Sequence, residues 1–387
     1  MKNEISPVRI LEQLIKFPTY QVTSDKIAEG MKECSSYLSD HLERLGYSVN
    51  TDELFNVTAE REFNGEKTFL INTHFDTVSP AKGWEEGLKP TLKGDRLYGL
   101  GSSDAKGGIA AIISVLSQLE DCRFAKLIVQ FVNYEDNAIT YRGTRWLGTP
   151  YFLSKNPDFT ADYGINVEPT VVGDKLTLSI GCTGRLAFRI RTIGKEAHSA
   201  TPQEGKNAIY EMTRVIDALR QVPSGKYRIN GFESEMPINV ATIEGGRAIN
   251  IVPGECKITC ERRLFPSENP QDIEKTISLA LKKVKKAEID CHFHRPVQKP
   301  YAIDREEEIV SLVEEAITDT LGYTPPIRIE LGRTDSVYLY HNAGIKTVIV
   351  GPGHTGHIKD EFIHVERLLE FTKVLKNLLT GTTNKNA

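Results

Sequence analysis

Three apolar runs in the first half of the chain each end on residues able to bind a metal ion or carry a proton. Phe69 to Thr73 ends at His74, Lys126 to Asn133 runs into Glu135-Asp136, and Tyr163 to Val167 ends at Glu168. Runs of this length read as strands, and strands apolar along most of their length are buried on both faces. The segments between and beyond them have helical spacing. Residues 6–16 and 25–45 are amphipathic, the second with Ser24 as N-cap and Gly46 just past its end, and residues 108–119 open after a glycine-rich turn. Alternating strand and helix predict an α/β fold with a mostly parallel sheet covered on both faces. In such sheets ligands bind beyond the carboxyl ends of the strands, where these polar residues collect.

After Lys175 the pattern changes. Leu176 to Ile180 and Leu186 to Ile193 alternate apolar and polar residues, as half-buried antiparallel strands do. Helical stretches at 205–219 and 269–286 alternate with strand runs at 239–244 and 256–263. Helix 306–321, strand 346–350 and helix 365–379 then return to the first pattern. A smaller α+β domain over 176–295 is therefore expected inside a larger domain made of 1–175 and 296–387. At roughly 150 residues per domain, the chain's 387 residues suggest two to three domains, and this pattern points to two.

Composition excludes some classes. A net charge of −4 gives no support to a nucleic-acid binder. The apolar runs fall far short of the ~20 residues of a membrane span, and the first fourteen residues lack a signal-peptide core. Six scattered cysteines without a CxxC pair read as reduced thiols. A cytoplasmic protein with no nucleic-acid or membrane partner is expected.

The candidate ligands carry a specific chemistry. His74 and Asp76 are two apart in an extended chain, so Asp76 is placed to bond the second ring nitrogen of His74 and fix its tautomer. Asp104 follows the turn Gly99–Ser103, where it reads either as a ligand or as a helix N-cap. That turn lacks the Lys-Ser/Thr ending of a phosphate loop and the spacing of a dinucleotide fingerprint. Of Glu135 and Asp136, one can bind a cation while the other serves as a base. His354 and His357 are both possible ligands. Two histidines and three carboxylates suit two divalent ions, Zn²⁺ first, with Co²⁺ or Mn²⁺ as alternatives. Such a pair activates water and polarises a carbonyl.

These residues resemble the M20 metallopeptidase family, which includes acetylornithine deacetylase, succinyl-diaminopimelate desuccinylase, aminoacylase-1 and glutamate carboxypeptidases. Thr73-His74-Phe75-Asp76-Thr77-Val78 is similar to its first metal motif. Trp84 with Asp95–Gly99, and Asp104-Ala105-Lys106-Gly107-Gly108, resemble its longest motif. Gly194–Asn207, Gly245-Gly246 with Asn250–Pro253, and Arg262-Arg263 resemble its small dimerisation domain. His357-Ile358-Lys359-Asp360-Glu361 resembles its final H-x-x-D-E motif, which selects His357 over His354.

The resemblance implies a zinc-hydrolase catalytic domain with an inserted ferredoxin-like dimerisation domain, working as a homodimer. It implies that Asp104 bridges two ions, that His74 and Glu168 complete one site, and that Asp136 and His357 complete the other. Glu135 is then the general base, and His198 reaches the partner's active site to stabilise the oxyanion. Asn239 and Arg263 become candidates for holding the substrate carboxylate. The chain departs from the pattern in having Asp136 where relatives have Glu, and in Arg333, an added guanidinium on the substrate side. The expected activity is removal of an acetyl- or succinyl-type N-acyl group from an amino acid by metal-activated water. The alternative is an exo-acting dipeptidase or carboxypeptidase of the same family.

Overall fold

The computed structural model describes residues 5–20, 25–84, 86–133, 148–229, 232–285, 287–295, 297–354 and 356–381. Ser24, Glu135 and Asp136 lie outside them. The chain divides into two compact units. One holds 1–181, 303–330 and 334–387, the other 182–302 and 331–333.

In the first unit a mixed sheet has a parallel centre. Thr68–His74 pairs in parallel with Lys126–Val132 on one side and Tyr163–Asn166 on the other, and Tyr163–Asn166 pairs in parallel with Lys346–Ile349. Antiparallel strands flank this centre: Val57–Glu62 beside Lys126–Val132, and Leu178–Cys182 beside Lys346–Ile349. The central strands are buried almost throughout, as their apolar sequences require. Helix Lys106–Leu116 is buried at every position and packs on Thr68–His74. Its sequence is apolar on all sides because helices Pro7–Ile15 and Val365–Thr380 cover its outer surface. Leu70 and Ile128, on the other face of the sheet, pack with Leu339 of helix Ser336–Ala343.

Leu178–Cys182 corrects the sequence reading. All of it was expected in the small domain, but it is a fully buried strand of the large sheet. Burial on both faces overrides the apolar–polar alternation here, because Ser179 and Gly181 are small enough to be enclosed.

Apart from the hairpin of Gly225–Ile229 with Phe232–Met236, the second unit follows a β-α-β-β-α-β succession: Gly184–Ile193, Ala208–Arg220, Asn239–Gly245, Glu255–Leu264, Pro270–Lys282 and Glu288–Phe293. Its antiparallel sheet orders them as second, third, first and fourth strand, the ferredoxin-like arrangement. Both helices bury Met212, Val215, Leu219, Ile277 and Leu281 against Leu186, Phe188, Ile190 and Ile258. Asn207 and Asn269 cap these helices through their side chains.

Candidate metal centre

Strand register brings the first two ligands level. Asn72 pairs with Asn166, so two residues further on His74 and Glu168 emerge together from neighbouring strands. The turn after His74 is held from outside. Thr19 donates its hydroxyl to the Phe75 carbonyl (2.7 Å) and accepts from the Thr77 N–H (3.0 Å).

Asp104 arrives on the loop between Arg96–Tyr98 and helix Lys106–Leu116. Gly101 takes a positive φ of 78°, which glycine adopts without steric cost. Asp104 does not cap the helix: Ala105 occupies the N-cap position, and no side chain caps there.

His357 comes from a segment about 250 residues away. The antiparallel pairing of Phe362 with Tyr98 draws the two loops together. Gly356 lies so close to Asp104 that a Cβ there would sit 2.2 Å from its Oδ2. His357 and Asp360 both hold positive φ, 63° and 59°. That is uncommon for non-glycine residues and costs of order 1–3 kcal/mol each. His354 packs its ring on Phe362 (4.7 Å between centroids).

The polar atoms converge. His74 Nε2 is 3.3 Å from Asp104 Oδ1 and 3.5 Å from Glu168 Oε2, and His357 Nε2 is 3.5 Å from Asp104 Oδ2. One donor atom each from His74, Asp104 and Glu168 lie within 4.8 Å of one another. His74 Nδ1 is 3.0 Å from the Asp76 carbonyl and 3.4 Å from its carboxylate. A carbonyl only accepts, so Nδ1 carries the proton and Nε2 offers its lone pair to the cluster. The link expected from Asp76 therefore runs chiefly through its backbone.

Burial opposes a charge on His74, yet Glu168, Asp104 and Asp76 outweigh it and hold its pKa well above the usual imidazole range. Burial would raise the Asp104 pKa, but the bond to and charge of His74, then the charge of His357, keep it low. Buried carboxylates here demand positive charge, and a divalent cation meets that demand without protonating His74. The donor set of neutral imidazole and carboxylates fits such an ion.

Residues 70–381 match the model for peptidase family M20/M25/M40. The chain belongs to this family. It is a hydrolase of amide bonds, and membership implies divalent metal ions. The chain is 28% identical over 376 residues to acetylornithine deacetylase of Vibrio campbellii, covering 92% of this chain and 93% of that one. It is 26% identical over 393 residues to acetylornithine deacetylase of Buchnera aphidicola subsp. Schizaphis graminum, covering 96% and 97%. A Staphylococcus aureus tripeptidase shares the fold over the full length of both chains, with a TM-score of 0.77 at 20% identity. Among the described residues, no helix of this M20 hydrolase is long and apolar enough to cross a membrane.

The remaining candidates lie in the second unit. His198 is exposed, and its Nδ1 accepts the Ala200 N–H at 3.1 Å. The neutral ring therefore carries its proton on Nε2. The stretch Asn250–Pro253 pins this segment: Ser199 N–H donates to the Asn250 carbonyl (3.0 Å) and Val252 N–H to the Ala197 carbonyl (2.8 Å). Asn239 begins the edge strand opposite Glu261, and Arg263 Nε lies 2.8 Å from the Glu261 carboxylate. Arg333 is half-buried in the short excursion 331–333.

Two residues of the M20 motifs gain contacts that sequence reasoning missed. Lys106 is fully buried and donates from Nζ to the Phe17 carbonyl (3.0 Å), tying the Asp104 loop to the N-terminal helix. Glu361 accepts from backbone N–H groups of that same loop. A lysine inside an otherwise small, apolar helix start was the available signal for the first.

Proposed function

We propose that this M20 hydrolase removes an acetyl- or succinyl-type N-acyl group from an amino acid, with two divalent ions, Zn²⁺ by preference. One observation carries the reading: the two oxygens of Asp104 face different histidines, Oδ1 toward His74 and Oδ2 toward His357. A carboxylate so placed serves two ions at once. His74 and Glu168 would hold one with it, His357 and Asp136 the other. Co²⁺ or Mn²⁺ suits the same donors. A bound ion pair supplies Lewis acidity, lowering the pKa of water and polarising a carbonyl.

The chain's own groups do the rest. Glu135 takes the proton from the attacking water and returns it to the departing amine, a base and then an acid in one turnover. His198 donates from Nε2 to the developing oxyanion. Asn239, Arg263 and Arg333 bind substrate carboxylates, Asn239 through its amide NH₂ and the two arginines through their planar guanidinium groups. The likeness to acetylornithine deacetylases along nearly the whole chain supports the acyl-amino-acid reading over the peptide one.

His198 is proposed to act on the partner's site in a homodimer formed by the second unit, the dimerisation domain. Two features support this: among the described residues strand Asn239–Gly245 pairs on one side only and exposes Ile243, and Tyr210 and Ile249 of the same unit are also exposed. Unpaired edges with apolar neighbours invite a second chain. The six cysteines are free thiols, which suits the cytoplasm.

Two experiments test this reading. A panel of N-acetyl and N-succinyl amino acids and dipeptides should show kcat/KM at least ~10-fold higher on an acyl amino acid, a gap of about 1.4 kcal/mol. A dipeptide as the best substrate would replace the reading with an exopeptidase. For the dimer, equal amounts of His198→Ala and Glu135→Gln proteins are mixed and allowed to exchange subunits. Half the dimers become hybrids with one intact site each, so roughly a quarter of wild-type activity returns. No recovery despite demonstrated exchange would argue against action across the dimer.

A further inference from the structure

Glu361 is 1% exposed, and both its carboxylate oxygens are spent on one loop. Oε1 accepts from the N–H groups of Ser103 (2.9 Å) and Asp104 (3.0 Å), and Oε2 from that of Gly101 (3.1 Å). Its own carbonyl accepts the Gly99 N–H at 3.0 Å. Burying a carboxylate is costly, and bonds from N–H groups to its charged oxygens offset that cost.

The bonds join two chain segments that each bring a candidate ligand. Asp104 follows directly on the loop that Glu361 grips. His357 lies four residues before Glu361, and its Nε2 is 3.5 Å from Asp104 Oδ2. The seam is tight elsewhere too. His354 N–H donates to Ser103 Oγ (3.0 Å), and a Cβ on Gly353 would sit 2.2 Å from the Ser103 carbonyl oxygen.

We propose that Glu361 is a positioning residue that sets the spacing between Asp104 and His357, and with it the affinity for the ion those two residues share. The inference rests on the metal-centre reading above. Ligand constellations work only when held within roughly 0.5 Å. Loss of a partner that orients a ligand typically weakens metal binding by about 10–100-fold. Glutamine cannot replace Glu361, because whichever way its amide turns, an NH₂ group faces a backbone N–H donor.

The test is a chelator competition on the full-length protein loaded with Zn²⁺, which requires no turnover. Wild type, Glu361→Gln and Glu361→Asp are compared, with circular dichroism and thermal unfolding of each metal-free protein alongside. Wild type is expected to hold two ions. Glu361→Gln should keep the wild-type dichroism spectrum and hold one of its two ions, the one shared by Asp104 and His357, roughly 10–100-fold less tightly. Glu361→Asp, shorter but still an acceptor at both oxygens, should fall between them. Wild-type affinity in Glu361→Gln, with only a lowered unfolding temperature, would overturn the inference and leave Glu361 a purely structural residue. If Glu361→Gln does not fold, Glu361→Asp decides: weaker binding in a folded protein supports the inference, and unchanged binding overturns it. Wild type that binds no divalent ion overturns the metal-centre reading itself, a failure visible before any substitution is compared.

Discussion

An Asp104→Ala protein is expected to lose metal and turnover together. Asp104 faces His74 with one oxygen and His357 with the other, so in the proposed centre its removal takes a ligand from both ions at once. The loss in metal affinity should therefore exceed the roughly 10–100-fold that follows from disturbing an outer partner. Activity should fall by on the order of 10³-fold or more, since the metal supplies both water activation and carbonyl polarisation. The fold should survive, because Asp104 caps no helix and the loop keeps its bonds to Glu361. Metal content after dialysis, read beside kcat/KM, checks this. A variant that retains two ions and more than a tenth of wild-type turnover would remove Asp104 from the centre.

Glu135→Gln separates proton transfer from metal binding. If Glu135 is the base, its amide keeps the shape and loses only the ability to take a proton. kcat should then drop by roughly 10²–10⁴-fold. KM should change little, because the interaction lost belongs to the transition state. Metal content should match wild type, since Asp136 is the proposed ligand of that pair. Loss of an ion from Glu135→Gln would exchange the two roles, making Glu135 the ligand and Asp136 the base.

Part of the candidate centre was legible because two of its residues stand at the ends of local elements. His74 and Glu168 close apolar strands, and parallel register then places them side by side. Spacing alone left His354 and His357 both open, and the resemblance to the H-x-x-D-E motif chose His357; what brings His357 to Asp104 is a different matter. It depends on Phe362 pairing with Tyr98 across more than 260 residues, a contact no local periodicity encodes. Glu361 stood in that motif, but its contacts were hidden for the same reason: its partners lie on a distant loop.

The long helices followed from their apolar stripes, and their ends fall within a few residues of those expected. Short elements did not show. Helices Gly148–Lys155 and Ser336–Ala343 and strand Val57–Glu62 have too few residues to display a period. Short helices draw their stability from tertiary packing rather than intrinsic propensity. Leu178–Cys182 alternates like a half-buried strand and is buried on both faces. Which sheet it joins is decided by its neighbours.

The most direct measurement starts from protein stripped of metal by a chelator. Hydrolysis of an N-acetyl amino acid is followed as Zn²⁺ is returned in known amounts. The metal-free protein should be inactive, with turnover returning as the ions bind and levelling off by two equivalents per chain. Full activity that persists after complete removal of metal would contradict the assignment of this chain as a metal-dependent deacylase.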